Sequence, residues 1–347
     1  MTAWLDLPVF GTPDAKKAPL LLDRLAYLDS RHRAGCPDYA AIAASQAGPD
    51  DVLACLADVP FLSVDLFKYL DLRTVPRDEV SVVLRSSGTG PRGPSRVALD
   101  RPTARLQSRI VTRILGELLG PVRLPMLIID APPRPVGAEL PGRAVAAVGF
   151  MHAGRDHAFA LDEQGQVVEE TVRRFAREHG SAPCFVFGLT STIWECIASG
   201  RLRFEAPGAV VMHGGGWKKL ERERVDRARF SDEVKAATGA AEIRNYYGLV
   251  EQVGTIFLED AHGSLCAPAF ADVLIRAPGS LEPCPPGTTG LVQVLSAVPE
   301  SYPGHSLLTG DLGRIVPPEP ADPWCGTRLE VHGRAPEADL RGCGDLG

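Results

Sequence analysis

The chain has 347 residues, of which 45% are hydrophobic and 23% charged, and its formal net charge is -6. That composition supports a packed core and excludes general disorder, while the lack of a basic stripe excludes a nucleic-acid binder. No stretch approaches the roughly 20 apolar residues that span a bilayer, and the start, Met1 to Lys17, has no signal-peptide pattern, so a cytoplasmic protein is expected.

Residues 1–75 read as helices and loops punctuated by Pro60 and, just after, Pro76. Val80 to Arg85 is rich in β-branched residues and reads as a strand that stops at Ser86-Ser87-Gly88-Thr89-Gly90. Ala104 to Leu119 has helical apolar spacing, and Pro125 to Asp130 reads as a short strand. Further strands are predicted over Ala144 to Val148 and Ala158 to Leu161, then a helix over Val167 to His179. Cys184 to Phe187 is a strand and Thr190 to Ser199 a helix. Ala209 to His213 is a strand ending in Gly214-Gly215-Gly216, and Trp217 to Thr238 reads as one long charged helix. Glu242 to Tyr246 is a strand that ends in Tyr247-Gly248. From Ala269 onward short strands alternate with Pro and Gly turns, and there is no internal repeat. The pattern predicts an α/β core over 76–268, with 1–75 as a helical segment of the same domain and 269–347 as a small β-rich part with a tail.

Ligands of open α/β sheets bind beyond the carboxyl ends of strands, so the glycine-containing strand exits are the candidate sites. Ser86, Ser87, Gly88, Thr89 and Gly90 offer hydroxyls and close backbone approach, which suits either a phosphate or a plain surface loop. They are not a Walker loop, because the Gly-Lys-Ser/Thr ending is absent. Gly214, Gly215 and Gly216 admit a flat group, with Lys218 following, or simply open a helix. Tyr246, Tyr247 and Gly248, with Glu251 after them, offer an aromatic face and a carboxylate suited to Mg²⁺, or else a core ring and a surface acid. Asp311, within Thr309-Gly310-Asp311, suits two ribose hydroxyls or its own backbone. The cysteines at 36, 55, 184, 196, 266, 284, 325 and 343 include no CxxC pair, which argues against zinc and for reduced thiols.

Together and in this order, these four elements, with Gly333-Arg334 after them, resemble the adenylate-forming superfamily of acyl and aryl ligases over about residues 80–335. The Gly214-Gly215-Gly216-Trp217-Lys218 segment and the ending from Gly333 to Cys343 are similar to its acyl-protein synthetase (LuxE-like) branch. The resemblance implies stacked β-sheets flanked by helices, ATP and Mg²⁺ as cofactors, and activation of a carboxylic acid as an acyl-adenylate. Full-length relatives carry a C-terminal lid with a catalytic lysine, and because the sequence stops at Gly347, soon after the hinge-like segment, no lid domain is expected here. Ser86, Ser87, Gly88 and Thr89 would wrap the β- and γ-phosphates. Gly214 to Gly216 would wall the adenine, Tyr247 would stack on it, Glu251 would hold Mg²⁺, and Asp311 with Arg334 nearby would bind the ribose. Phe187, Gly188, Trp194 and His213 would line the acid pocket, although the two large rings equally suit the core.

Val250 stands where the superfamily usually carries a threonine, and the lid lysine has no counterpart, so Lys218 is the expected stand-in, with Arg92 and Lys219 as fallbacks. Cys343 occupies the place of the branch's acylated cysteine; otherwise the acyl group passes to coenzyme A, an acyl-carrier or acceptor protein, or an amine. The competing reading is a degenerate nucleotide-binding module that regulates a partner without catalysis.

Overall fold

The computed structural model describes residues 3–48, 52–86, 93–133 and 139–335, of which 139–143, 218 and 219 are described by backbone alone. The chain is α/β and opens with α1 (Asp14–Gly35) and α2 (Pro37–Gln46). Strands β1 (Leu62–Ser63), β2 (Val80–Arg85) and β3 (Arg96–Asp100) precede α3 (Arg101–Leu119). Next come β4 (Leu124–Ile129), β5 (Glu139–Pro141), α4 (Gly142–Met151), β6 (Gly154–Phe159) and α5 (Glu169–His179). They are followed by β7 (Cys184–Leu189), α6 (Thr190–Ala198), β8 (Ala209–Gly214), α7 (Arg227–Thr238) and β9 (Glu242–Tyr247). The remainder is strand: β10 (Phe257–Glu259), β11 (Leu265–Cys266), β12 (Ala271–Arg276), β13 (Gly290–Ser296), β14 (Ser306–Val316) and β15 (Arg328–Arg334).

Two compact units emerge, and they do not follow the linear boundaries at 75 and 268. One contains residues 111–134 and 143–248, the other 1–110, 135–142 and 249–347.

In the first unit, β6, β4, β7, β8 and β9 form a parallel sheet in that order. Strands β4 and β7 are buried along their whole length, which explains their uninterrupted apolar runs. One sheet face packs on α5, α6 and α7 through Leu127, Val186, Val211, Ile243, Ile193, Phe175 and Phe230. Asp226 caps α7 by accepting from the Arg229 N–H at 2.8 Å, and Gly239 ends it in the left-handed region (φ +66).

Two expectations are corrected here. Ala144 to Val148 is not a strand but part of α4: its alanines favour helix, and a short apolar run cannot by itself separate the two. The long helix over Trp217 to Thr238 is a 3-10 turn, Lys218–Glu223, followed by α7, because the Asp226 cap starts a new helix.

In the second unit, β12, β13, β14, β15, β11 and β10 form a sheet, antiparallel at every described pairing, with β1 added parallel to β14. A smaller sheet has the order β3-β2-β5. Buried charges tie this unit together. The Arg328 guanidinium donates to Asp260 at 2.7 Å, to Asp322 at 3.0 Å and to the carbonyls of Trp324 and Gly326. Buried Lys17 lies 3.1 Å from Asp272. Pairing of this quality is what makes a buried charge tolerable.

A second buried polar cluster joins the N-terminal helices to residue 305. Tyr39 donates to Asp29 and lies 3.2 Å from His305 Nε2, while His32 Nδ1 lies 2.7 Å from Thr74 Oγ1. The two histidine rings stack with centroids 4.9 Å apart. Burial lowers both pKa values, that of His305 to about 3, with mutual repulsion and nearby arginines adding for His32. Both rings therefore resist a proton that the unfolded chain accepts near pH 6.5. Stability should be full above that pH and fall progressively as pH drops toward 3, by up to about 1.4 kcal/mol per pH unit for each histidine. Thermal unfolding midpoints measured from pH 7.5 to 5 should decline, and the decline should be shallower in His305→Phe; an identical slope in that variant would remove His305 from the account.

Candidate functional site

In the second unit, the described part of the candidate phosphate loop is its base, where β2 and β3 open into their connection. The Ser86 N–H donates to the Ser95 carbonyl at 3.1 Å, and the Ser95 N–H returns to Ser86 Oγ at 2.8 Å. The base of the loop is thus closed by its own serines, and the Ser86 hydroxyl serves this closure. Ser87, Gly88, Thr89, Gly90 and Arg92 lie outside the described residues.

The closed base stands beside Glu251, which lies in the 3-10 turn Val250–Gln252 and is 8% exposed. Gln252 anchors this turn by donating to the carbonyls of Val294 (3.2 Å) and Gly304 (2.9 Å). Gly304 must lack a side chain, since a Cβ there would sit 2.7 Å from the Glu251 carbonyl. Burial raises the Glu251 pKa; the Ser95 hydroxyl, the turn's own backbone and the more distant charges of Lys68 and Arg334 oppose the rise. Ser95 Oγ, Gln107 Nε2 and Tyr302 OH are buried nearby without a well-formed hydrogen bond. A buried carboxylate among under-bonded polar groups fits a hydrated divalent cation. Among the described residues no three His, Cys, Asp or Glu side chains cluster as a protein-only metal cage. A single buried carboxylate is compatible with Mg²⁺, which takes one or two carboxylates and draws its other ligands from water and phosphate.

Asp311 and Arg334 face each other across β14 and β15 and form an ion pair at 3.1 Å, with Asp311 at 13% exposure and Arg334 at 74%. Thr309 holds the strand by donating to the Val292 carbonyl (2.8 Å) and accepting from the Asp311 N–H (3.1 Å). Asp311 thus points from a braced strand with a cation beside it.

In the first unit, register aligns the strand exits. Gly188, His213 and Asn245 share one rung, and Leu189, Gly214 and Tyr246 the next. Thr190, Gly215 and Tyr247 consequently leave from one edge of the sheet. Gly214 is required by packing, because a Cβ would lie 2.5 Å from the Tyr246 ring and 2.6 Å from its carbonyl. Gly215 and Gly216 hold φ of +81 and +68.

The expected acid-pocket residues divide between the two sheet faces. Phe187 and Tyr246 are buried against Phe150, with ring centroids 4.8 and 5.0 Å from it, so both are core rings. Gly188 lies on the opposite face, where a Cβ would come within 2.8 Å of Ile193. On that face Trp194, Trp217 and Phe230 pack together, and His213 lies 4.3 Å from Phe230. His213 Nδ1 is 2.9 Å from Thr190 Oγ1, and burial lowers its pKa to about 3. The side chains of Lys218 and Lys219, and all of Cys343, lie outside the described residues. Sequence reasoning missed Ser95, Gln107 and Tyr302 as neighbours of Glu251, and the Thr190–His213 bond, because each depends on a long-range contact.

Comparison with known proteins adds the following. The family model for acyl-protein synthetase, LuxE, matches residues 19–346. The long-chain-fatty-acid–luciferin-component ligase of Aliivibrio fischeri is 25% identical over 318 residues, covering 84% of this chain and 79% of its own. That of Vibrio harveyi is 26% identical over 319 residues, covering 85% and 79%. Among solved structures, 2-hydroxyisobutyryl-CoA ligase in complex with 2-HIB-AMP and CoA superposes with a TM-score of 0.69 at 17% identity, covering 94% of this chain and 76% of that one. ATP-bound MatB from Rhodopseudomonas palustris gives 0.50 at 17% identity over 75% and 49%. The solved structures show a shared fold.

The close approach at 214 generates a stability expectation. Gly214→Ala should cost about 1–3 kcal/mol through overpacking. Gly216→Ala, with open space but positive φ, should cost about 1 kcal/mol. Urea unfolding of the two variants orders them, and the reverse order would contradict the Gly214–Tyr246 packing.

Proposed function

The chain belongs to the LuxE acyl-protein synthetase family, and from that premise we propose that it activates a carboxylic acid with ATP and passes the acyl group to a thiol or an amine. The observation that carries this reading is the serine-closed loop base set beside buried Glu251. In the proposed reaction a carboxylate oxygen of the acid attacks the α-phosphorus of ATP. The bond from that phosphorus to the bridging oxygen breaks, giving acyl-adenylate and pyrophosphate.

Within this reading Ser86 braces the loop whose Ser87, Gly88, Thr89 and Gly90 surround the β- and γ-phosphates. Asp311, held by Thr309 and flanked by Arg334, accepts from the ribose hydroxyls. The Gly214–Gly216 exit and Tyr247 bound the adenine, with Tyr246 and Gly248 setting the position of that ring. Mg²⁺ held at Glu251 would neutralise charge on the phosphates. Lys218 supplies the remaining positive charge, a role the superfamily gives to a lid lysine. Preorganised charge of this kind carries phosphoryl-type chemistry. The adenylate is then attacked by Cys343 or by an external thiol or amine, with release of AMP.

ATP–pyrophosphate exchange across aryl, short-chain and long-chain acids should show activity with at least one acid. Glu251→Gln should lower that activity by a factor of about 10², and Asp311→Asn should raise the KM for ATP. ATP binding without exchange for every acid would instead favour a regulatory nucleotide-binding module. Mass spectrometry after incubation with ATP and the best acid should show the acyl adduct on Cys343; an adduct only on an added thiol would assign the acceptor outside the chain.

A further inference from the structure

The hydroxyl of Thr190 meets two groups, the Gly214 carbonyl at 3.1 Å and His213 Nδ1 at 2.9 Å. It has one hydrogen to give. If that hydrogen went to Nδ1, the threonine oxygen and the Gly214 carbonyl would face each other as two acceptors. If it goes to the carbonyl, Nδ1 carries a proton and donates it to the threonine oxygen, and both contacts are satisfied. The second arrangement wins, because it leaves no repulsive pair in a buried site.

Protonation of both ring nitrogens is suppressed by burial and by the charge of Arg227. His213 is therefore neutral with a lone pair on Nε2, to which no hydrogen bond runs among the described residues. The ring lies near the carboxyl end of β8, separated by buried Gly214 from the exposed Gly215 and Gly216. Its face packs on Phe230, and Trp194 and Trp217 border that ring. A group that meets Nε2 must donate a hydrogen bond. A carboxylate cannot, since its oxygens only accept.

We infer that Thr190 is a positioning residue that locks His213 in its Nδ1–H form, so that Nε2 selects acids carrying a hydroxyl on their carbon skeleton. The inference rests on the ligase reading for the identity of the ligand, whereas the tautomer lock stands on the hydrogen-bond geometry. A site with a fixed acceptor disfavours the analogue lacking the hydroxyl, because its polar atom is then left unpaired.

Two measurements decide it. Protein labelled with ¹⁵N-histidine should show, by nitrogen chemical shifts at neutral pH, a His213 protonated at Nδ1 and bare at Nε2. Thr190→Val should lose this single tautomer and Thr190→Ser should keep it. A wild-type ring protonated at Nε2 overturns the inference. In pyrophosphate exchange with matched pairs, benzoate against hydroxybenzoates and hexanoate against 3-hydroxyhexanoate, at least one hydroxylated acid should exceed its partner in kcat/KM by about tenfold or more. The ratio should collapse in Thr190→Val and persist in Thr190→Ser. Equal or inverted ratios in an active wild type overturn the inference while leaving the ligase reading intact. If no acid supports exchange, the ligase reading fails instead. Calorimetric binding of the same pairs then takes the place of kcat/KM: a hydroxyl preference lost in Thr190→Val supports the inference, and no preference overturns it.

Discussion

The approach of the Tyr246 ring to a residue without a side chain, Gly214, fixes the end of the parallel sheet. With a Cβ at 214, the ring that Phe150 and Phe187 hold in the core would have to move. Strand β9 would lose its rung against β8, and Tyr247 would no longer leave from the same edge as Gly215 and Thr190. A packed interior responds to so small a change because it has no slack to absorb it. The glycine run thus has two roles: Gly214 makes room for a ring, and Gly215 and Gly216 turn the chain.

The second unit solves a different problem. It places a carboxylate, Glu251, almost out of water and surrounds it with groups that oppose but do not abolish the cost. Gln252 pins the turn to two carbonyls, and the serines at either end of the β2–β3 loop pin that loop to itself. Geometry held by such braces does not have to be assembled when a ligand arrives.

Much of the fold was legible. Val80–Arg85, Cys184–Phe187 and Ala209–His213 announced themselves as apolar runs stopped by glycine or a polar turn, the last two strands running on to Leu189 and Gly214, and the β-rich remainder as short runs between turn residues. Ala144 to Val148 misled because five small apolar residues carry no period, and the alanines decided for helix. The break before Arg227 was hidden because charges line both pieces, and only the Asp226 cap marks it. For the site, residue types at strand exits were readable, but sidedness was not. Phe187 and Gly188 are neighbours in sequence and lie on opposite faces, as strand alternation requires. Ser95 and Tyr302 come to Glu251 from 156 and 51 residues away, and no local pattern records such meetings.

The buried Arg328 has one more consequence, for the order in which the protein is made. Its guanidinium binds Asp260, Asp322 and the Trp324 carbonyl; the Trp324 ring stacks on Phe10 at 4.1 Å, and the Cys325 N–H donates to the Phe10 carbonyl. A ribosome reads from residue 1, so the partner that seats Phe10 emerges more than three hundred codons after it. The parallel-sheet unit ends at Gly248 and has all its strands well before that moment. During synthesis the leading segment waits with its apolar side chains uncovered while the middle of the chain is already complete, which makes that interval the period of greatest exposure to chaperones and to aggregation.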